Sequence, residues 1–226
     1  GACVIHLLQD TAAWRLLPRL RYCRTGDILP PNMPNRIKTL LVEYNPRAEL
    51  SQTRRLRKYF TDLVAPRAEL THVDLAQDPP PILGAEAFMA YYRRAYLNQE
   101  LSQDEQELLR RADEYRDQLL NTEIAILSCP MHNFGPPAAI KAWLDLVMQR
   151  NHVYEVGEDG HIPKLQHLKV LIIYTAGITY DQIARNFGWN SIENSLVNLF
   201  TYMGAEEVRS ANAQGVDMLT QEAVDY

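Results

Sequence analysis

Ser51, Gln52 and Thr53 follow one another in NPRAELSQT (45–53), where a helical spacing of apolar residues begins. The first amides of a helix lack acceptors within it, and the helix dipole favours negative charge there. Two hydroxyls and an amide at that point therefore suit a phosphate cradled without glycines. Taken alone, Ser51 equally reads as a plain N-cap. A second stretch, CPMHNFGPP (129–137), separates the apolar run EIAILS from the helix-like AAIKAWLDLVMQR. Pro136 and Pro137 fix φ where a helix starts, while Asn133, Phe134 and Gly135 turn the chain. Backbone groups held open from Pro130 onward then face the edge of a flat heterocycle, with Met131 and Phe134 offering apolar contact. His132 reads either as a solvent-facing loop residue or as a group in the chemistry, and Cys129 as a small buried hydrophobe. The third stretch, Thr175, Ala176 and Gly177, is small enough for a planar ligand to approach its backbone.

Each stretch ends a predicted strand. IKTLLVEY (37–44) is β-rich and apolar, SQTRRLRKYFTDLV (51–64) carries Leu56, Tyr59, Phe60 and Leu63 at helical spacing, and LTHVDLA (70–76) alternates, which makes a βαβ unit. Pro79 to Pro81 break the pattern before an aromatic-rich helix over about 85–97. Ser102 with Glu105 three residues on is a capping box, and it opens a helix whose apolar face is Leu108, Leu109, Ala112, Tyr115, Leu119 and Leu120. EIAILSC lacks polar alternation, as a strand covered on both faces does. A helix over 137–150 precedes a hairpin or flap at 152–163 that turns at Gly157 to Gly160. LKVLIIY (168–174), a helix over 192–203, a strand near 206–212 and the start of one more helix in LTQEAVDY complete the pattern. Strands alternating with helices predict a parallel sheet with helices on both faces, and such sheets bind ligands beyond the carboxyl ends of their strands.

Composition narrows the function classes. The 226 residues are 46% hydrophobic and 23% charged, with no run near the length a membrane helix needs. The net charge of −5 divides into +4 over residues 1–38 and −9 over the rest, and an acidic body argues against nucleic acid as the main partner. Cys3, Cys23 and Cys129 form no CxxC pair and the six histidines no close pair on a helix face, so no metal site is expected and a cytoplasmic setting is the simplest reading. The Arg-rich residues 1–36 read as an N-terminal extension or linker outside the core, with Met33 favoured as the natural start over a transit peptide. The domain is expected to occupy 37–226.

Together and in this order, PMHNFGPPAAIKAWLDLV, LVEYNPRAELSQTRRL and TAG resemble the FMN-dependent NADH-azoreductases and related NAD(P)H:quinone reductases. The resemblance implies a flavodoxin-like three-layer α/β sandwich whose five-stranded parallel sheet has the order 2-1-3-4-5. It implies tightly held FMN, with NADH or NADPH as hydride donor and a quinone, azo or similar aromatic acceptor reduced in a second half-reaction. Carried over by position, Ser51, Gln52 and Thr53 would hold the FMN phosphate, with Asn45 standing near the place of a serine common in the family. Pro130, Met131, His132, Asn133 and Phe134 would line the isoalloxazine, with Thr175, Ala176 and Gly177 at its other edge. Family members are homodimers with interfacial active sites, and Tyr154 matches an aromatic position bordering the substrate, so His132 and Tyr154 are the candidates to orient an acceptor oxygen. A flavodoxin-like electron carrier and a flavin-free interaction module are the competing readings.

Overall fold

The computed structural model describes residues 36–158, 160–179 and 190–216. Almost all of the N-terminal extension and the expected closing helix LTQEAVDY lie outside the described residues. The sheet consists of β1 (Ile37–Glu43), β2 (Ala68–Asp74), β3 (Ile124–Pro130), β6 (Lys169–Ala176) and β7 (Glu207–Gln214), all parallel, in the order β2-β1-β3-β6-β7. A separate antiparallel hairpin, β4 (Tyr154–Gly157) and β5 (Gly160–Pro163), interrupts the count. With it set aside, the order is the 2-1-3-4-5 of a flavodoxin-like fold.

The helices are α1 (Gln52–Val64), α2 (Ala85–Tyr96), α3 (Gln103–Leu120), α4 (Ala138–Val147) and α5 (Ser191–Met203). Successive side chains of a strand point to opposite faces, and the core divides accordingly. Leu40, Val42, Leu127, Cys129, Ile172 and Tyr174 pack with Tyr115 and Leu119 of α3, Trp143 of α4 and Phe200 of α5. Their neighbours Leu41, Ile126 and Ile173 pack with Leu56, Phe60 and Val64 of α1. Covered on both faces, β1, β3 and β6 read as unbroken apolar runs, whereas β2, at the edge, is largely exposed.

Element ends depart from the sequence reading for reasons of pairing. β2 runs two residues earlier than the alternating stretch because Ala68 pairs with Ile37, and the chain turns off at Asp74, whose Oδ1 accepts from the amides of Ala76 and Gln77. β6 runs through Thr175 and Ala176, which lie opposite Ala213 and Gln214 of β7, so two of the three supposed loop residues belong to the sheet. α4 stops at Val147, and Gln149 turns inward to accept from Arg94 and Arg116, which also hold Asp113. α5 closes on Gly204 at φ 94°, a left-handed cap that also presses against Pro163 of the hairpin, where a Cβ would come within 2.5 Å.

Candidate functional site

β1, β3 and β6 all end at the same edge of the sheet, and three contacts draw their loops together. Tyr44 meets His132 edge to face with ring centroids 5.9 Å apart, joining the first loop to the second. The amide of Met131 donates to the carbonyl of Thr175 at 2.7 Å, joining the second to the third. Thr53 and Thr175 bring their hydroxyl oxygens to 2.6 Å, joining the first to the third. Residues spread over more than 120 positions thus form one surface at the carboxyl edge.

In the first loop Ser51 caps α1: its Oγ accepts from the amide of Arg54, and its carbonyl accepts from that of Arg55. Among the described residues the amides of Gln52 and Thr53 have no acceptor, and the first turn carries no acidic side chain. The Ser51 hydroxyl donates to Asn45 Oδ1 at 3.0 Å, and Asn45 Nδ2 donates to Glu43 Oε2 at 2.7 Å. Asn45 is therefore held at both ends of its amide, by Glu43 and by Ser51.

The second loop is a tight turn. The amide of His132 donates to the carbonyl of Gly135 and the amide of Gly135 to the carbonyl of His132, with Asn133 and Phe134 at φ 47° and 72° between them. Two successive positive φ values mark a type I′ geometry, here built without glycine at either central position. The expectation of an open backbone needs correction: the amides of Met131, His132 and Gly135 are engaged within the protein, and Met131 packs against the core. Asn133 keeps its amide without an acceptor among the described residues, and the Phe134 ring stands 47% exposed. The turn is clamped by Ser191 at the start of α5, whose amide and hydroxyl both donate to the Phe134 carbonyl. Nothing in the sequence beyond a serine at a helix start pointed to Ser191.

In the third loop Thr175 and Ala176 are 5% and 1% exposed, which leaves Gly177 as the half-buried position beyond the strand. Next to it, Tyr174 Oη accepts from Asn190 Nδ2 and donates to Glu193, which also accepts from Ser210. Tyr154 lies elsewhere. Its ring packs on His161 and Tyr202, and its hairpin continues into Lys164 and Leu165, whose amides donate to the Met203 carbonyl at the end of α5. That is the edge where β6 and β7 begin, opposite the three loops, so within one chain the structure does not bring Tyr154 to His132.

Cys129 is fully buried and its thiol is pushed up to about 12 by desolvation, which removes it as a nucleophile. Glu43, 3% exposed, was missed from sequence, although an acid ending an apolar strand is an unusual sight. Burial pushes its carboxyl up, but the hydrogen bond from His72, the charge of Arg57 and the bond from Asn45 outweigh this and hold it below the usual range. Glu43, His72 and Asp74 bring ligand atoms within 4.8 Å of one another, a cluster that sequence spacing did not show. Arg57 lies 3.1 Å from the same carboxylate and Asp74 Oδ1 already accepts two amides, so the chemistry of the cluster is that of a countered buried acid.

An anion-receptive helix end beside a turn carrying an exposed aromatic is a donor set that fits a phosphorylated planar ligand. The sequence profile of a family described as having a flavodoxin-like fold matches residues 37–225. The FMN-dependent NADH:quinone oxidoreductase of Beijerinckia indica is 29% identical over 185 residues, covering 79% of this chain and 88% of the relative. The protein of the same name from Azospirillum brasilense is 27% identical over 185 residues, covering 80% and 88%. Among solved structures, an azoreductase from Bacillus anthracis Sterne superposes with a TM-score of 0.74 at 18% identity over 84% of this chain and 92% of that one. An FMN-dependent NADH-azoreductase from Bacillus anthracis Ames Ancestor, in complex with FMN, gives 0.71 at 22% identity over 83% and 92%. At those identities the structural likeness shows the fold.

Proposed function

The chain belongs to the flavodoxin-like family, and on that footing we propose that it is an FMN-dependent oxidoreductase that takes hydride from NADH and reduces quinones, azo compounds or similar acceptors. The observation that carries the reading is the meeting of the three loops through Tyr44 and His132, Met131 and Thr175, and Thr53 and Thr175. When bound, FMN supplies the redox chemistry, so the protein needs no acid/base triad of its own.

The chain's own residues bind and orient. The amides of Gln52 and Thr53, at the positive end of α1, would hold the phosphate. The turn from Pro130 to Phe134 would wall the ring system on one side and Gly177 would border it on the other, with Thr175 and Ala176 contributing backbone from within the strand. His132, exposed at the rim and steadied by Tyr44, would orient an acceptor oxygen. Replacing His132 with Ala should change acceptor preference and leave FMN retention intact; equal loss of flavin would count against this role.

We further infer a homodimer. Tyr154, His161 and Tyr202 form an aromatic cluster at the edge opposite the loops, and only a second copy would let that cluster border a site. Use of NADPH beside NADH and a cytoplasmic location complete the proposal; no helix among the described residues is long and apolar enough to cross a membrane. The test is steady-state NADH oxidation with a quinone, together with light scattering of the purified protein. A monomer that carries flavin but does not consume NADH would favour an electron carrier instead.

A further inference from the structure

Glu43 is a buried acid that the proposed chemistry does not use, and one of its partners, Asn45, leads to the first loop. An ionised carboxylate can only accept hydrogen bonds. It therefore selects the NH2 end of the Asn45 amide, at 2.7 Å, and leaves the carbonyl end to face Ser51. The Ser51 hydroxyl must then donate to that carbonyl, and its remaining lone pairs accept from the amide of Arg54 at 3.2 Å. One fixed charge thus sets the polarity of two successive bonds, and the amide of Arg54 completes the chain. The amide of Arg54 is drawn inward, and those of Gln52 and Thr53 are left at the helix end.

A negative charge so close to an anion site would repel its ligand if left bare. An imidazole and a guanidinium face it. His72 Nε2 on β2 lies 2.8 Å from Oε1, and Arg57 on α1 places Nε 3.1 Å from Oε2. The Arg57 Nε–H is not aimed at an acceptor, but its Nη2 donates to Oε1 at 3.4 Å, so Arg57 adds one long bond to its charge while Asn45 and His72 make the shorter ones. Asp74 is the other acid nearby, and it is occupied by the turn that follows β2.

We propose that Glu43 is a positioning residue for the phosphate grip, acting through Asn45 and Ser51 without touching the flavin. The inference rests on the FMN reading given above. It also assigns Asn45 the part of a relay, where position alone made it a ligand.

The test is a fluorescence titration of flavin-stripped protein with FMN and, separately, with riboflavin, which lacks the phosphate. Loss of a bond to a charged group predicts that Glu43→Ala and Asn45→Ala weaken FMN binding by about tenfold or more while riboflavin affinity moves by less than about twofold. Glu43→Gln keeps the volume and can still offer its carbonyl oxygen to Asn45, so it should shift FMN in the same direction by less and remains available if the alanine variant fails to fold. The sign is decisive: if Glu43 acted only as a bare charge, its removal would tighten FMN. Tighter or unchanged FMN in Glu43→Ala overturns the proposal, as does parallel weakening of FMN and riboflavin, which marks a general defect of the fold. Wild-type protein that binds neither flavin refutes the FMN reading itself, and the inference with it.

Discussion

The bond between Thr53 and Thr175 is the tie between the start of α1 and the end of β6, and its worth can be measured. The two side chains are 1% and 5% exposed, and their oxygens are 2.6 Å apart. Thr53→Val keeps the shape but strands the Thr175 hydroxyl, and Thr175→Val strands that of Thr53. Leaving a buried hydroxyl without its partner costs about 1–3 kcal/mol, so each single variant should lose that much stability. Replacing both with valine removes the orphan, and an apolar pair of the same shape is close to neutral. The expected cycle is therefore strongly non-additive: the double variant should be more stable than either single, with a coupling of about 1–3 kcal/mol. Urea unfolding of flavin-free protein, with midpoints compared at constant slope, reads this directly. A double variant whose loss equals the sum of the two singles would mean that the hydroxyls do not interact, and with it the joint between the first and third loops would fall. The double variant should also bind FMN less tightly than the parent, because one hydroxyl of the pair retains a proton for a ligand.

Other consequences are simpler to read. Ser191→Ala keeps the amide bond to Phe134 but loses the hydroxyl one, so it should cost roughly 1 kcal/mol of stability and raise the acceptor KM with flavin retained; flavin loss would contradict a role confined to the turn. With Cys3 and Cys23 replaced by serine, native protein at pH 8 should resist alkylation, since a Cys129 thiol near 12 supplies almost no thiolate, and labelling should appear only on unfolding; prompt native labelling would show that the strand is open. Glu43 and Asp113 are both held below the ordinary carboxylate range against the pull of burial, Glu43 by His72, Arg57 and Asn45 and Asp113 mainly by Arg94 and Arg116. Groups with lowered folded pKa values stabilise fully above the unfolded value near 4, and that stabilisation disappears as pH falls through the folded value. Apoprotein stability should accordingly drop on acidification from about pH 5 downward, and Glu43→Gln should flatten part of the slope; an unchanged profile would mean that the carboxylate is not paired in solution.

The sheet was legible because its central strands are covered on both faces and so become apolar runs with breakers at each end. EIAILSC and LKVLIIY are of this kind. What the runs do not show is where pairing stops. Thr175 and Ala176 look like loop, yet Pro130 on one side and Ala213 and Gln214 on the other keep them in register. The turn at 132–135 hid its hydrogen bonds because Asn133 and Phe134 adopt positive φ, and glycine is what usually signals that geometry. Glu43 was legible only as a residue of a strand: besides Asn45, its partners stand at 57 and 72, and no local pattern joins them. Tyr154 was matched by position to a site that, within one chain, lies at the far edge of the sheet.

If the reading is right, the three loops hold FMN where a nicotinamide can reduce it. A visible absorption spectrum of the purified, FMN-loaded protein, recorded anaerobically before and after one equivalent of NADH and again after a quinone, tests it most directly. A flavin band that NADH bleaches and the quinone restores is the expected result. Protein that takes up no FMN, or a bound-flavin band that NADH leaves unchanged, would contradict it.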